Sequence, residues 1–280
     1  MFKKLLLATT LISYATAIEV AKVWESEPVL KVPESVLLDN QNNQLFVANI
    51  NGKPTDKDGN GFISILSLDG EVKTLEFSKG FDAPKGMAIY DNKLYVSDID
   101  TLRVVDLKDG KIIKNYHIKE AQFLNDVVAT KDGTIYVSDY SPENKAIYKL
   151  QNKTMTKWMG SGNLLGERPN GVWIKDDKLI IGTKEGTIFS VDQKSKKIST
   201  FKENIGVNGI DGILTFDDNR YITSDWAGRV FISDKNKSEK IIDGSGERVN
   251  AADIWYDMKS KKLYIPTFFD NRILCYDLKK

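Results

Sequence analysis

Apolar residues in this chain fall in short alternating, β-branched or aromatic runs, separated by turn-forming pairs such as Asp69-Gly70, Asp91-Asn92 and Asp176-Asp177. Helical repeats would instead place apolar residues at i, i+3 and i+4, so the pattern predicts strands and tight turns. The runs come in ordered sets. Residues 169–174, 178–183 and 186–192 form three strand signals in a row, and the same order recurs five more times. Aligned on the first strand of each set, the equivalent positions are Glu34, Lys85, Asn125, Asn170, Asp211 and Ala252. A period near 40 residues with about four short strands per copy is the signature of propeller blades. Six copies predict an all-β, six-bladed β-propeller.

Ring closure is also legible. The last copy has strand signals at residues 253–256, 263–267 and 273–276, and the chain ends before an outer strand. A spare strand, residues 19–24, precedes the first copy. Pairing the two removes an open sheet edge, so residues 18–280 are expected to form one domain closed by its N-terminal strand.

In a propeller the first strand of each blade lines the central channel, and its first residues face one mouth. The six equivalent positions therefore form a ring containing two carboxylates, Glu34 and Asp211, and two amides, Asn125 and Asn170. Such a donor set suits a hard, oxygen-seeking cation better than a thiol- or imidazole-seeking one. The competing reading is that these are turn residues satisfying nearby backbone amides. Lys85 adds a cation to the ring, able to pair with a carboxylate, bind an anionic substrate or compete with a metal. A second ring, Asn49, Asp98, Asp139, Thr183, Asp225 and Thr267, closes the second strands; its acids read as turn and blade-to-blade hydrogen-bonding groups. Trp226 and Phe268-Phe269 follow that ring and either line the mouth or pack between blades. In the longest interval, Asp56, Asp58, Asn60, Gly61 and Ile63 match EF-hand loop positions, but Ser67 stands where the bidentate carboxylate belongs. A hairpin loop of turn formers, able to fold over the mouth, accounts for the same letters.

Charge and cysteine content narrow the class. Forty basic and 39 acidic residues give a net charge of +1, with no concentrated basic surface to favour nucleic acid or an anionic membrane. The single cysteine, Cys275, excludes an intramolecular disulfide, and with His117 the single histidine, a Cys275–His117 pair and a classical serine triad are both disfavoured. Met1-Phe2-Lys3-Lys4, an apolar run over residues 5–15 and Ala15-Thr16-Ala17 read as a signal peptide, residues 1–17, with cleavage before Ile18. The run is too short to span a bilayer, and no cysteine follows it to accept lipid. A periplasmic or secreted location without a stable membrane anchor is expected.

The Pro33-Glu34-Ser35 start and the pairs Asn125-Asp126, Asn170-Gly171 and Asp211-Gly212, in this order and register, resemble the senescence marker protein (regucalcin), gluconolactonase and luciferin-regenerating enzyme family. The resemblance spans roughly residues 30–280. It implies a six-bladed propeller with one divalent cation in the channel, Ca2+ ahead of Mg2+, Mn2+ or Zn2+, and hydrolysis of a lactone or small ester. It implies Glu34, Asn170 and Asp211 as metal ligands, Asp211 also as general base, and Asn125 as a substrate-binding residue. Lys85 joins Asn125 as a substrate-binding candidate. The sequence departs from the family at Phe123, where a substrate-orienting arginine is expected. The alternative is a non-catalytic propeller that binds a small ligand or a protein partner at its channel mouth.

Overall fold

The computed structural model describes residues 18–207, 209–247 and 249–279; the expected signal peptide lies outside them. In chain order, β1 is Glu19–Glu25. The first blade then comprises β2 (Pro33–Asp39), β3 (Gln44–Asn49), β4 (Gly61–Ser67) and β5 (Val72–Phe81). The second comprises β6 (Pro84–Tyr90), β7 (Lys93–Asp98), β8 (Thr101–Asp106) and β9 (Ile112–His117); the third, β10 (Leu124–Ala129), β11 (Ile135–Asp139), β12 (Ala146–Gln151) and β13 (Thr154–Met159). The fourth holds β14 (Pro169–Lys175), β15 (Lys178–Thr183), β16 (Ile188–Asp192) and β17 (Ile198–Lys202), and the fifth β18 (Ile213–Thr215), β19 (Tyr221–Asp225), β20 (Arg229–Ser233) and β21 (Ser238–Asp243). The last has β22 (Trp255–Asp257), β23 (Lys262–Pro266) and β24 (Ile273–Lys279), with β1 on its outer edge in the order β1-β24-β23-β22. This is a six-bladed β-propeller closed by its N-terminal strand.

Closure is antiparallel, from Glu19 opposite Lys279 to Glu25 opposite Leu274. The Trp24 indole donates to the Leu68 carbonyl at 3.0 Å and packs on Tyr264, so β1 is fastened to the first blade as well as the last. Apolar side chains fill the seams between neighbouring blades. Leu37, Phe46 and Ile63 meet Met87, Leu94 and Val96 in one seam, and Leu214, Ile222 and Val230 meet Ile254, Leu263 and Ile265 in another. Burial of these faces supplies the main stabilisation of each blade-to-blade joint. Cys275 is buried in the seam between the last and first blades, where burial pushes its thiol up to about 12. It is a core residue, as its alternation implied.

Two boundaries differ from expectation. The innermost strands of the last two blades begin at Trp255 and Ile213, two residues later than Asp253 and Asp211. The cause in the last blade is a competing partner. The Asp253 N–H donates to the Glu34 carbonyl at 2.9 Å and the Asp253 carbonyl accepts from Val36 at 3.3 Å, which diverts this residue from its own sheet to the adjacent blade.

Candidate functional site at the channel mouth

The inner strands carry their ring residues in β-bulges. Register shifts fall between Pro33 and Ser35, Pro84 and Met87, Leu124 and Val127, and Pro169 and Val172. Each inserts Glu34, Lys85, Asn125 or Asn170 into the disturbed stretch, and a bulge re-aims the side chain it carries. The next position is small or polar throughout: Ser35, Gly86, Asp126, Gly171, Gly212 and Asp253. A Cβ on Gly171 would lie 2.4 Å from the Asp211 carbonyl oxygen, and one on Gly86 would lie 2.5 Å from the Asp126 Cα. Inner strands can converge this closely only without a side chain there.

Second-strand ends hold the approach. The Asn49 amide oxygen accepts from the Lys31 N–H at 2.9 Å, Asp98 accepts from Asp82 and Ala83, and Asp139 accepts from Gln122 and Phe123. Each grips the linker arriving from the preceding blade, two or three residues before the ring residue. Asp225 instead pairs with Arg229 inside its own hairpin, while Thr183 donates to Glu167. The turn and hydrogen-bonding reading of its acids, Asp98, Asp139 and Asp225, therefore holds.

Glu34, Lys85, Asn125, Asn170 and Asp211 meet at one cavity of about 260 Å³. All five are buried. Ala252 contributes no polar group and packs with Ile50, Ala83, Ile99 and Phe268. Asn125 donates its amide to the Asn170 carbonyl oxygen, and Asn170 donates to Asp211 Oδ1 at 3.1 Å. Lys85 turns its ammonium to the Ala83 carbonyl at 2.8 Å and over the Phe123 ring, 4.7 Å from the centroid.

The electrostatics are those of crowded buried acids. Burial raises Glu34 well above the usual carboxylate range; Asp211 raises it further and Lys85 opposes. Burial lifts Asp211 to about 6 against the Asn170 hydrogen bond. It lowers Lys85 to about 8 against the attraction of Glu34 and Asp98. Two further acids lie one residue along the ring. Asp126, raised by burial to about 7, accepts from the Val127 and Val172 N–H groups at 2.6 Å each. Asp253, also raised by burial and by Asp126, accepts from the Ser35 hydroxyl at 2.8 Å. Neither is assigned a role of its own from the sequence, because both stand one residue past the ring position; the bulge between Leu124 and Val127 bears on Asp126 alone, and Asp253 precedes its strand.

Glu34 Oε2 and Asn125 Oδ1 are buried without a hydrogen-bond partner. Buried acceptors left in this way are costly, and a hard cation is the ligand class that satisfies several acceptors together while relieving carboxylate repulsion. These open acceptors therefore fit such an ion; the oxygens of Asn170 and Asp211, expected as donors beside Glu34, are linked in the hydrogen-bond chain of the floor. The set is not a closed cage of ionised ligands: among the described residues, no three His, Cys, Asp or Glu side chains converge to hold a metal.

Above this floor the walls are apolar. Ile50, Pro54, Phe123, Tyr140, Trp226, Phe268 and Phe269 line the cavity, which places Trp226 and Phe268-Phe269 at the mouth. Pro54 brings in the long loop of the first blade. That loop is pinned sideways, by Lys57 to Asp100 and by the Gly59 N–H to Asp82 at 3.1 Å. The Asp58 carboxylate accepts from Asn60 within the loop, as a plain turn requires. The register position of Phe123 is occupied in the next blade by Arg168, whose guanidinium lies 4.8 Å from the Tyr140 ring centroid. His117 sits away from the cavity, 3.6 Å from Asp100.

No family model and no curated protein matches the sequence. Solved structures do match the fold. A gluconolactonase from Xanthomonas campestris aligns with a TM-score of 0.65 at 15% identity, covering 89% of this chain and 86% of that one. A chain of a nidogen/laminin complex aligns at 0.60 and 16% identity, covering 75% and 79%. The β-propeller domain of Cps50 (Swd1) from Myceliophteria thermophila aligns at 0.59 and 10% identity, covering 92% and 99%. Such distant likenesses establish the propeller and leave its chemistry to the site.

Proposed function

We propose that this protein is a divalent-cation-dependent hydrolase of a lactone or small ester, working in the periplasm or outside the cell after loss of residues 1–17. The observation that carries the reading is the buried ring of Glu34, Asn170 and Asp211 at the floor of one cavity, with Glu34 Oε2 unsatisfied. The fold likeness to a gluconolactonase supports it. Ca2+ leads the candidate ions, with Mg2+, Mn2+ and Zn2+ behind it.

A cation bound there supplies carbonyl polarisation and acidifies water. The remaining work falls to the chain. Asp211, lifted to about 6, is ionised at neutral pH and takes the proton of the attacking water. Asn170, hydrogen-bonded to Asp211 at 3.1 Å, fixes the orientation of that carboxylate. Asn125 keeps an amide oxygen without a partner, available to the substrate. The Lys85 ammonium, held by Ala83, sets a single cation among the floor acids, placed to favour a developing oxyanion or the carboxylate product.

A second reading, a binding propeller without turnover, draws on Phe123 in place of a substrate-orienting arginine. Purified protein supplied with Ca2+, Mn2+ or Zn2+, assayed on aldonolactones, acyl-homoserine lactones and aryl esters against a chelator-treated control, separates the two. The expected result is metal-restored hydrolysis that falls by about 10³-fold or more in Asp211→Ala. Activity retained by metal-free Asp211→Ala protein contradicts the mechanism. Residue Ile18 at the N-terminus of exported protein checks the location; an intact Met1 on it opposes the assignment.

A further inference from the structure

The walls of the cavity have a chemistry distinct from its floor. The position that follows each second-strand end is Ile50, Ile99, Tyr140, Lys184, Trp226 and Phe268 through the six blades, and four of these six line the cavity. The wall is therefore built by the same register that builds the floor, one residue past the second ring. Trp226 stands at 5.6 Å from Phe268 and 5.9 Å from Phe269, both edge to face, and the two phenylalanines lie 4.8 Å apart. Phe123 and Tyr140 form a second aromatic pair at 5.7 Å.

Trp226 is 48% exposed and Phe269 62% exposed, although they touch each other. Most of the large apolar side chains of this protein are buried in the blade seams. A contiguous aromatic cluster left open beside a cavity marks a binding surface. What the walls lack matters equally. Apart from the Tyr140 hydroxyl and the Trp226 indole N–H, the polar side-chain groups that line the cavity belong to the floor, where Asn125, Asn170 and Asp211 bond to one another, Lys85 bonds to Ala83, and Glu34 Oε2 and Asn125 Oδ1 are the acceptors left open. Of the aromatic wall residues, Tyr140 and Trp226 alone carry a polar atom. A polyhydroxylated sugar lactone sinking into this cavity would leave most of its hydroxyls unpaired, and unpaired buried hydroxyls cost affinity. An alkyl or aryl group loses no hydrogen bonds there.

We infer that the substrate carries an apolar tail, an alkyl-substituted lactone or an aryl or fatty-acyl ester, held by the Trp226–Phe268–Phe269 and Phe123–Tyr140 pairs with its carbonyl at the acidic floor. This rests on the hydrolase reading for the reaction but not for the binding. Phe123, at the place of the arginine expected from the family resemblance, becomes a specificity-determining residue.

The test is isothermal titration of metal-loaded protein with γ-lactams, non-hydrolysable analogues of γ-lactones, bearing methyl, butyl or octyl side chains, alongside the polyhydroxylated gluconolactam. Burial of the added methylenes on a partly open wall predicts that the octyl compound binds on the order of a hundredfold more tightly than the methyl one. In the double variant Trp226→Ser, Phe269→Ser that ratio should shrink to less than about tenfold because the octyl compound loses far more affinity than the methyl one, with an unchanged far-UV circular dichroism spectrum showing that the variant is folded. Affinity independent of chain length, or gluconolactam binding more tightly than the octyl compound, overturns the inference. The two proposals fail separately. Chain-length-dependent binding without turnover of any ester removes the hydrolase and keeps the apolar site. Turnover of sugar lactones with a flat lactam series does the reverse.

Discussion

Asp126 illustrates how a single side chain can be visible in the sequence and still be misjudged. Its neighbour Asn125 occupies the ring position, so strict alternation would turn Asp126 toward the blade seam. The bulge between Leu124 and Val127 instead leaves it buried among acids, with its oxygens taken by the Val127 and Val172 N–H groups. Asp253 escaped notice for a related reason, since its backbone pairs with the adjacent blade. Ring members themselves were legible because equivalent positions in a repeat share an environment, and all five polar ones reach one cavity. The state of Asp126 has a thermodynamic consequence. Its carboxyl is held at about 7 against an ordinary value of 3.8. A raised acid favours the folded state when protonated, so that contribution is complete below about 3.8 and is lost as pH climbs through about 7. In metal-free protein the urea midpoint should therefore fall from pH 4 to pH 7 more steeply in the wild type than in Asp126→Asn. Asp211 titrates in the same direction in both proteins, so the difference reads Asp126 together with the repulsion it exerts on Glu34 and Asp253. Parallel pH profiles would refute the assignment.

Strands were placed well wherever apolar alternation ran uninterrupted to a turn pair, as in Lys178–Thr183 and Lys93–Asp98. The starts of the fifth and sixth inner strands were not, because backbone partners across a blade seam leave no trace in hydrophobic pattern. β1 is the element with the most specific expectation attached. It was assigned to the last blade because that blade ran out of chain, and its pairing with β24 bears this out. Removing residues 18–25 would expose the long edge of β24 and strip Trp24 from Tyr264. Open edges of this kind pair with other chains. The truncated protein is expected to self-associate in size-exclusion chromatography with light scattering, and to melt several degrees lower. A monomeric truncation that melts with the intact protein would mean that closure contributes nothing.

Across the whole molecule, six copies of one pattern made the propeller readable without any family match, whereas its pocket is written in the exceptions to that pattern: a lysine at Lys85, a phenylalanine at Phe123 and aromatic residues after three of the six second strands. Repeats fix a scaffold because every blade must bury the same seams; they leave the mouth free to vary. On the proposed function, this scaffold gathers buried oxygens for a cation, and isothermal titration of Ca2+ into chelator-stripped protein tests that most directly. One ion should bind per chain, with binding abolished in Glu34→Gln while that variant stays folded. No heat of binding in the wild type, or an unchanged isotherm in Glu34→Gln, would contradict it.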